Sequence, residues 1–181
     1  ILTHSRTLPI NLRKKYFNNE RFNNLDIYSA FQLTANLSRK MNFNSREILN
    51  SYDKEKLFTI GYADLLMKLI DEKINEENKY DAVIIDEGQR FSDEWWLAID
   101  NLKKSNGYLY VFYDPNQTLK NAVTSDFLTE EIEHVYPLDI NFRNTKQIFH
   151  LSKNLYKGFD IASAGPQGRP VEWISVNTAE S

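Results

Sequence analysis

Cysteine is absent from the 181 residues. Neither a disulfide framework nor a thiolate metal centre can hold this chain together. No run of about 18 apolar residues occurs either, so no segment suits a bilayer-spanning helix, and no membrane partner is expected. A surplus of positive charge is missing too: 22 Lys and Arg stand against 25 Asp and Glu, leaving a formal net charge of −3. The chain as a whole is not a basic clamp, and any nucleic-acid contact must use a local patch. No G-x-x-x-x-G-K-[S/T] phosphate loop is present. No repeat or low-complexity tract stands out. These absences agree with a cytoplasmic globular protein, and 41% hydrophobic with 13% aromatic residues is enough to build its core.

The most informative stretch is Tyr80-Asp81-Ala82-Val83-Ile84-Ile85-Asp86-Glu87-Gly88-Gln89. Four successive apolar residues flanked by charge suit a strand buried on both faces. Two carboxylates follow where that strand emerges. In open parallel sheets ligands gather at the carboxyl ends of the strands. An Asp there can hold Mg²⁺, and a neighbouring Glu can orient a water for attack on phosphate. Tyr108 to Tyr113 forms a second strand-like run, ending in Asp114-Pro115-Asn116-Gln117. Leu138 to Thr145 places Arg143 between an apolar stretch and a helix start.

Taken in order, these segments resemble the superfamily 1 DNA helicases (UvrD/Rep/PcrA-like). That family's motif II reads roughly D-E-x-Q-D (the Walker B site), its motif III centres on a glutamine after a strand-end Asp, and its motif IV reads roughly N-Y-R-S-T. The counterparts here are Asp86-Glu87-Gly88-Gln89-Arg90, Asp114 to Gln117 and Asn141-Phe142-Arg143-Asn144-Thr145. The resemblance implies an α/β three-layer sandwich, a partial RecA-like P-loop NTPase core with a mostly parallel sheet. It implies a partial first domain over 1–137 (motifs Ia to III, with a short helical insert at about 32–79) and the start of a second over 138–181 (motif IV). The cofactors implied are ATP and Mg²⁺, and the partner is single-stranded DNA or RNA.

The same resemblance assigns roles. Asp86 holds Mg²⁺, partly through water, and Glu87 orients and deprotonates the attacking water. Gln89 senses nucleotide or links the site to the neighbouring loop. Gln117 reaches the γ-phosphate or its water, and Asp114 is read as a turn residue. Arg143 is an arginine finger. Arg6 and Thr7, with Arg13, Lys14 and Lys15 nearby, sit where motif Ia approaches nucleic acid, and Phe31 stacks on a base or packs in the core. Gly88 in place of the usual Ala is expected to be harmless, whereas Arg90 puts a cation where many relatives carry Asp. His4, His134 and His150 are scattered and assigned no metal. Without the phosphate loop and the late motifs, the 181 residues alone are expected neither to bind ATP tightly nor to hydrolyse it, and the chain reads as a fragment. Two other readings stay open: a helicase-like ATPase in signalling or defence, and a degenerate interaction module.

Local patterns complete the expectations. A strand end at Ile1 to Ser5 precedes a helix over Arg6 to Tyr16, with Leu8, Leu12 and Tyr16 facing inward and Arg13, Lys14 and Lys15 outward. A short strand is expected over Leu25 to Tyr28, then mostly helix to about Lys79, with Tyr62, Leu65, Leu66, Leu69 and Ile70 on one face. Ser92 should cap a helix carrying Trp95, Trp96, Ile99 and Leu102, closed by Asn106-Gly107. Asn144 to Gln147 has capping-box spacing for a final helix ending near Gly158. Val171 to Val176 alternates like a strand.

Overall fold

The computed structural model describes residues 1–5, 7–16, 20–114, 117, 126–130, 132–156 and 160–174. The chain divides into two compact units, Ile1–Ile132 and Glu133–Ser181. It is a mixed α/β protein in which every strand pairing among the described residues is parallel.

The first unit carries a four-stranded sheet. In chain order its elements are β1 (Leu2–Thr3), α1 (Thr7–Tyr16), β2 (Tyr28–Ser29), α2 (Ala30–Lys40), α3 (Arg46–Asn50), α4 (Lys54–Lys56), a π-helical turn (Leu57–Gly61) and α5 (Tyr62–Lys73). Then come β3 (Tyr80–Asp86), a 3₁₀ turn (Gly88–Arg90), α6 (Asp93–Leu102), β4 (Lys103–Phe112) and α7 (Asp126–Glu130). The strands lie in the order β2-β1-β3-β4. From β1 the chain steps outward to β2, and from β3 it steps the opposite way to β4. The order reverses between β1 and β3, where Thr3 pairs with Asp86. Such a reversal opens a crevice at the carboxyl ends of the two strands.

One helical layer packs on the sheet because its apolar residues recur at three and four positions. Ala63, Leu65, Leu66, Leu69 and Ile70 of α5 are buried. So are Trp95, Trp96, Ala98, Ile99 and Leu102 of α6. Ala63, Leu66 and Ile70 of α5 and all five of the α6 residues meet Val83 and Ile85 of β3 in one core. The 32–79 segment therefore builds the core of this unit. A capping box starts α2: Ser29 Oγ accepts from the Gln32 amide at 3.3 Å, and Gln32 Oε1 accepts from the Ser29 amide at 3.2 Å. On α1, Arg13 turns inward over the Tyr28 ring at 4.1 Å, not outward with Lys14 and Lys15.

Three expected boundaries shift. The strand foreseen over Leu25 to Tyr28 forms at Tyr28–Ser29, since Ser29 is needed as the α2 cap. Asn106-Gly107 does not close α6, which ends at Leu102 and runs directly into β4. There Tyr80 pairs with Lys103 but Ala82 pairs with Tyr108, so four residues of β4 bulge opposite Asp81. Ser105 anchors the bulge by donating from its amide (2.6 Å) and its hydroxyl (2.7 Å) to Glu76 Oε1. Gly107 is required by close approach: an added Cβ would lie 3.0 Å from the Lys104 carbonyl and 3.1 Å from that of Asp81. The third shift is in the tail, where Val171 to Ile174 form no strand. Ser175 and Val176 lie outside the described residues.

The second unit holds β5 (Ile140–Asn141), α8 (Lys146–Lys153) and β6 (Ala162–Ser163), with β5 and β6 paired in parallel. Thr145, not Asn144, caps α8, accepting from the Ile148 amide. Asn144 is taken up instead by the preceding turn, where Asn141 Oδ1 accepts from the amides of Arg143 (3.1 Å) and Asn144 (3.0 Å). Gly158, the expected helix stop, lies outside the described residues.

Candidate functional site

β3 delivers Asp86 and Glu87 to the carboxyl end of the sheet, where β3 lies beside β1. Asp86 is half-buried. Burial, and then the charge of Glu87, raise its carboxyl above the usual range, partly opposed by a hydrogen bond from the Glu87 backbone. Glu87 itself adopts a left-handed backbone, φ 59° and ψ 45°. For a residue with a Cβ such strain is of order 1–3 kcal/mol and persists only where the surroundings impose it. Here the constraint is the tight turn that follows: the Arg90 amide donates to the Glu87 carbonyl at 3.0 Å and the Phe91 amide to that of Gly88 at 3.1 Å. Gly88 is buried against β4, and an added Cβ would sit 2.6 Å from Val111 Cγ1 and 3.4 Å from the Trp96 ring. Its lack of a side chain is thus a steric requirement, where the sequence suggested a harmless exchange for Ala.

The Glu87 carboxylate is held on one oxygen. Oε2 accepts from Gln89 Nε2 at 2.9 Å and from Arg90 Nε at 3.2 Å. The Gln89 amide also accepts from the Asp114 backbone N–H at 3.1 Å, tying the loop after β3 to the loop after β4. Gln117 Nε2 then donates to Asp114 Oδ2 at 2.8 Å. One chain of contacts therefore runs Glu87–Gln89–Asp114–Gln117 along the carboxyl edge of the sheet. An amide suits the middle of such a chain because it donates and accepts at once.

His4, passed over as a scattered histidine, belongs here. It follows β1 by one residue and packs edge-on to Phe31 at 6.0 Å and Phe91 at 5.9 Å. Burial and the Arg90 charge lower its pKa, against the pull of Glu87. Only the sheet order brings residue 4 beside residues 87 and 90, and no local pattern could have announced it.

The remaining candidates are taken one by one. Phe31 is half-buried, its ring met edge-on by His4, Phe58, Tyr62 and Trp95; its surroundings are those of a packing residue. Thr7 is exposed at the start of α1, and Arg6 lies outside the described residues. Arg143 is exposed in the turn of the second unit. Among the described residues no group of three or more His, Cys, Asp or Glu could hold a metal unaided. Pro115 and Asn116 lie outside the described residues.

No family model and no curated protein matches this chain.

Proposed function

We propose that these residues are part of the motor of a superfamily 1 helicase or translocase, which couples ATP hydrolysis to movement on single-stranded nucleic acid. The observation that carries this reading is the Asp86-Glu87 pair at the switch point of a parallel sheet, with Glu87 wired through Gln89 to Asp114 and Gln117. The parallel sheet and its helical layer suit a partial RecA-like core.

The donor set fits Mg²⁺ as a shared ligand. Mg²⁺ characteristically takes one or two protein carboxylates and completes its shell with water and phosphate oxygens. Asp86, a half-buried carboxylate beside a second one, offers that, with Glu87 reaching the ion through water. An ion held by Asp86, and through water by Glu87, would supply positive charge to offset that of the phosphates. Glu87 positions the attacking water and accepts its proton. Its αL backbone and the turn behind it fix where the carboxylate stands, so little reorganisation is needed. Gln117 reports the γ-phosphate to the loop after β4, and Gln89 passes that state to Glu87. Arg143 supplies a guanidinium to the charge that develops on the transferred group.

The test uses the protein that carries these residues. Glu87→Gln should lower ATP turnover about 10²- to 10⁴-fold, and Arg143→Ala about 10³- to 10⁵-fold, with nucleotide affinity less affected in each. Unchanged turnover removes the corresponding role. Stimulation of turnover by single-stranded DNA separates a motor from a signalling or defence ATPase. One observation favours a non-hydrolytic module instead: Arg90, where superfamily 1 helicases commonly carry Asp, pairs with Glu87 Oε2 at 3.2 Å and so places a cation on the carboxylate assigned the role of base. Absence of turnover even with a phosphate loop supplied by the same protein would decide for that module.

A further inference from the structure

Arg90 is a cation in a loop whose neighbouring site residues are carboxylates and amides, at a position where superfamily 1 helicases commonly carry Asp. The chain fixes where it stands. Its amide closes the 3₁₀ turn on the Glu87 carbonyl at 3.0 Å. Residues three apart in such a turn share a face, and Arg90 Nε donates to Glu87 Oε2 at 3.2 Å. Among the described residues this is the guanidinium's only hydrogen bond or ion pair. A guanidinium carries its N–H donors in a planar fork. Both terminal nitrogens of this fork are therefore unengaged, and the side chain is 53% exposed.

The charge also reaches the end of β1. His4 follows that strand by one residue, and burial, then the Arg90 charge, lower its pKa. Arg90 thus acts where β1 and β3 end side by side and the strand order reverses. Glu87 is a weak permanent partner there. An exposed ion pair held by one hydrogen bond adds little stability. A phosphate takes a guanidinium through two parallel N–H···O bonds, and each is charge-assisted. The Glu87 oxygen is meanwhile fully used: Oε2 accepts from Gln89 Nε2 at 2.9 Å as well as from Arg90, which takes up both of its lone pairs.

We propose that Arg90 is a ligand of the nucleotide's γ-phosphate, and that this phosphate and Glu87 compete for its guanidinium. The inference rests on the motor reading and adds a regulatory step to the same site. When the γ-phosphate takes the guanidinium, Gln89 still holds the Glu87 carboxylate, and Oε2 regains a lone pair for the attacking water. Recognition of the triphosphate and release of the base are then one movement of one side chain. A diphosphate lacks the competing group and leaves the Arg90–Glu87 pair closed.

The experiment measures binding of a non-hydrolysable ATP analogue, and of ADP, to the protein that carries these residues by titration calorimetry. Arg90→Gln should weaken binding of the analogue about 10- to 100-fold, the range for loss of hydrogen bonds to a charged group, and leave ADP binding and the circular dichroism spectrum unchanged. Arg90→Lys should recover only part of the loss, because an ammonium has the charge without the fork. Glu87→Gln should tighten binding of the analogue by up to about 5-fold, the worth of the competing pair, and that gain should vanish in the Arg90→Gln background. The proposal is overturned if Arg90→Gln binds the analogue as tightly as the native protein, if ADP binding falls as much as analogue binding, or if the gain from Glu87→Gln persists without Arg90. Lower turnover in Arg90→Gln at unchanged analogue affinity would make Arg90 a brace for Glu87 and overturn it equally, as would a native protein that does not bind the analogue. All the affinities are read without hydrolysis, so a failed Glu87→Gln turnover assay strikes the hydrolytic reading and leaves the Arg90 contact to be judged on binding.

Discussion

The loop after β3 and the turn after β5 both present polar residues beyond a parallel strand, yet they are held in opposite ways. Beneath residues 86–90 lies a core in which Ile85, Trp96, Ile99 and Leu102 are at most 1% exposed. The second unit has one large buried apolar side chain among its described residues, Phe149. Tyr136, Leu138, Leu155, Trp173 and Ile174 are each more than 80% exposed. Its order is polar: Asn141 Oδ1 gathers two amides, Thr145 caps α8, the Lys146 amide donates to the Pro166 carbonyl at 3.0 Å, and the Gly168 amide to Gln147 Oε1 at 2.7 Å. Tertiary packing can impose strain, as at Glu87, whereas a net of hydrogen bonds can fix a turn without a core beneath it.

The largest effect should come from emptying the first core. Trp96 is fully buried, stacks on Phe127 at 5.1 Å and 3°, and packs against Gly88. Trp96→Ala should lose about 3–5 kcal/mol, read as a lower midpoint in urea unfolding followed by circular dichroism. Phe149→Ala should leave that main transition in place and change only the amide exchange of α8. Equal shifts of the main transition by the two variants would erase the distinction between a core-held and a locally held loop.

A smaller change tests the loop itself. Gly88→Ala drives a methyl into Val111 Cγ1, and overpacking of this kind is typically worth 1–3 kcal/mol. The double variant Gly88→Ala, Val111→Ala should recover most of the loss, because the obstacle is a side chain. At Gly165 the obstacle is the Asn144 backbone carbonyl, so Gly165→Ala should detach the 164–168 segment from the start of α8 with no rescue by a side-chain change. Amide exchange of Lys146 reports that detachment.

How much of this was legible in the sequence depends on the range of the interactions involved. The α5 and α6 core faces follow from spacing alone, since a helix repeats every three to four residues whatever it packs on. The β3 strand and its carboxylates were equally legible, but its burial was not: Val83 and Ile85 are buried while Ala82 is exposed and Ile84 half-buried, so one face meets the core and not both. Asn106-Gly107 misled because a bulge and a helix stop use the same residues, and the choice was made by Glu76, 29 positions from Ser105. Arg13 misled because its partner Tyr28 lies on another element. His4 and the Gln89–Asp114 contact needed the strand order, which no local window contains. Gly88 looked interchangeable with Ala because the atom that forbids a Cβ belongs to β4.

The smallest expected effect separates the two units by pH. Each has an exposed carboxylate whose pKa is lowered, but by different donors. Glu76 accepts from the Ser105 amide, the Ser105 hydroxyl and Lys79, and is pulled down to about 2. Asp160 is lowered chiefly by Lys153, at 2.7 Å. A carboxylate whose folded pKa is depressed adds stability that is complete above its unfolded value and is lost as pH falls toward the folded one. For Glu76 that window runs from about pH 4.5 down to about pH 2. Glu76→Gln should flatten the acid limb of the first unit's stability and speed exchange of the Ser105 amide. Asp160→Asn should act more weakly, and its effect should disappear in high salt, because an exposed ion pair is screened while a backbone N–H bond is not. An acid limb unchanged by Glu76→Gln would show that the β4 bulge is held by its main chain and Gly107 rather than by this carboxylate.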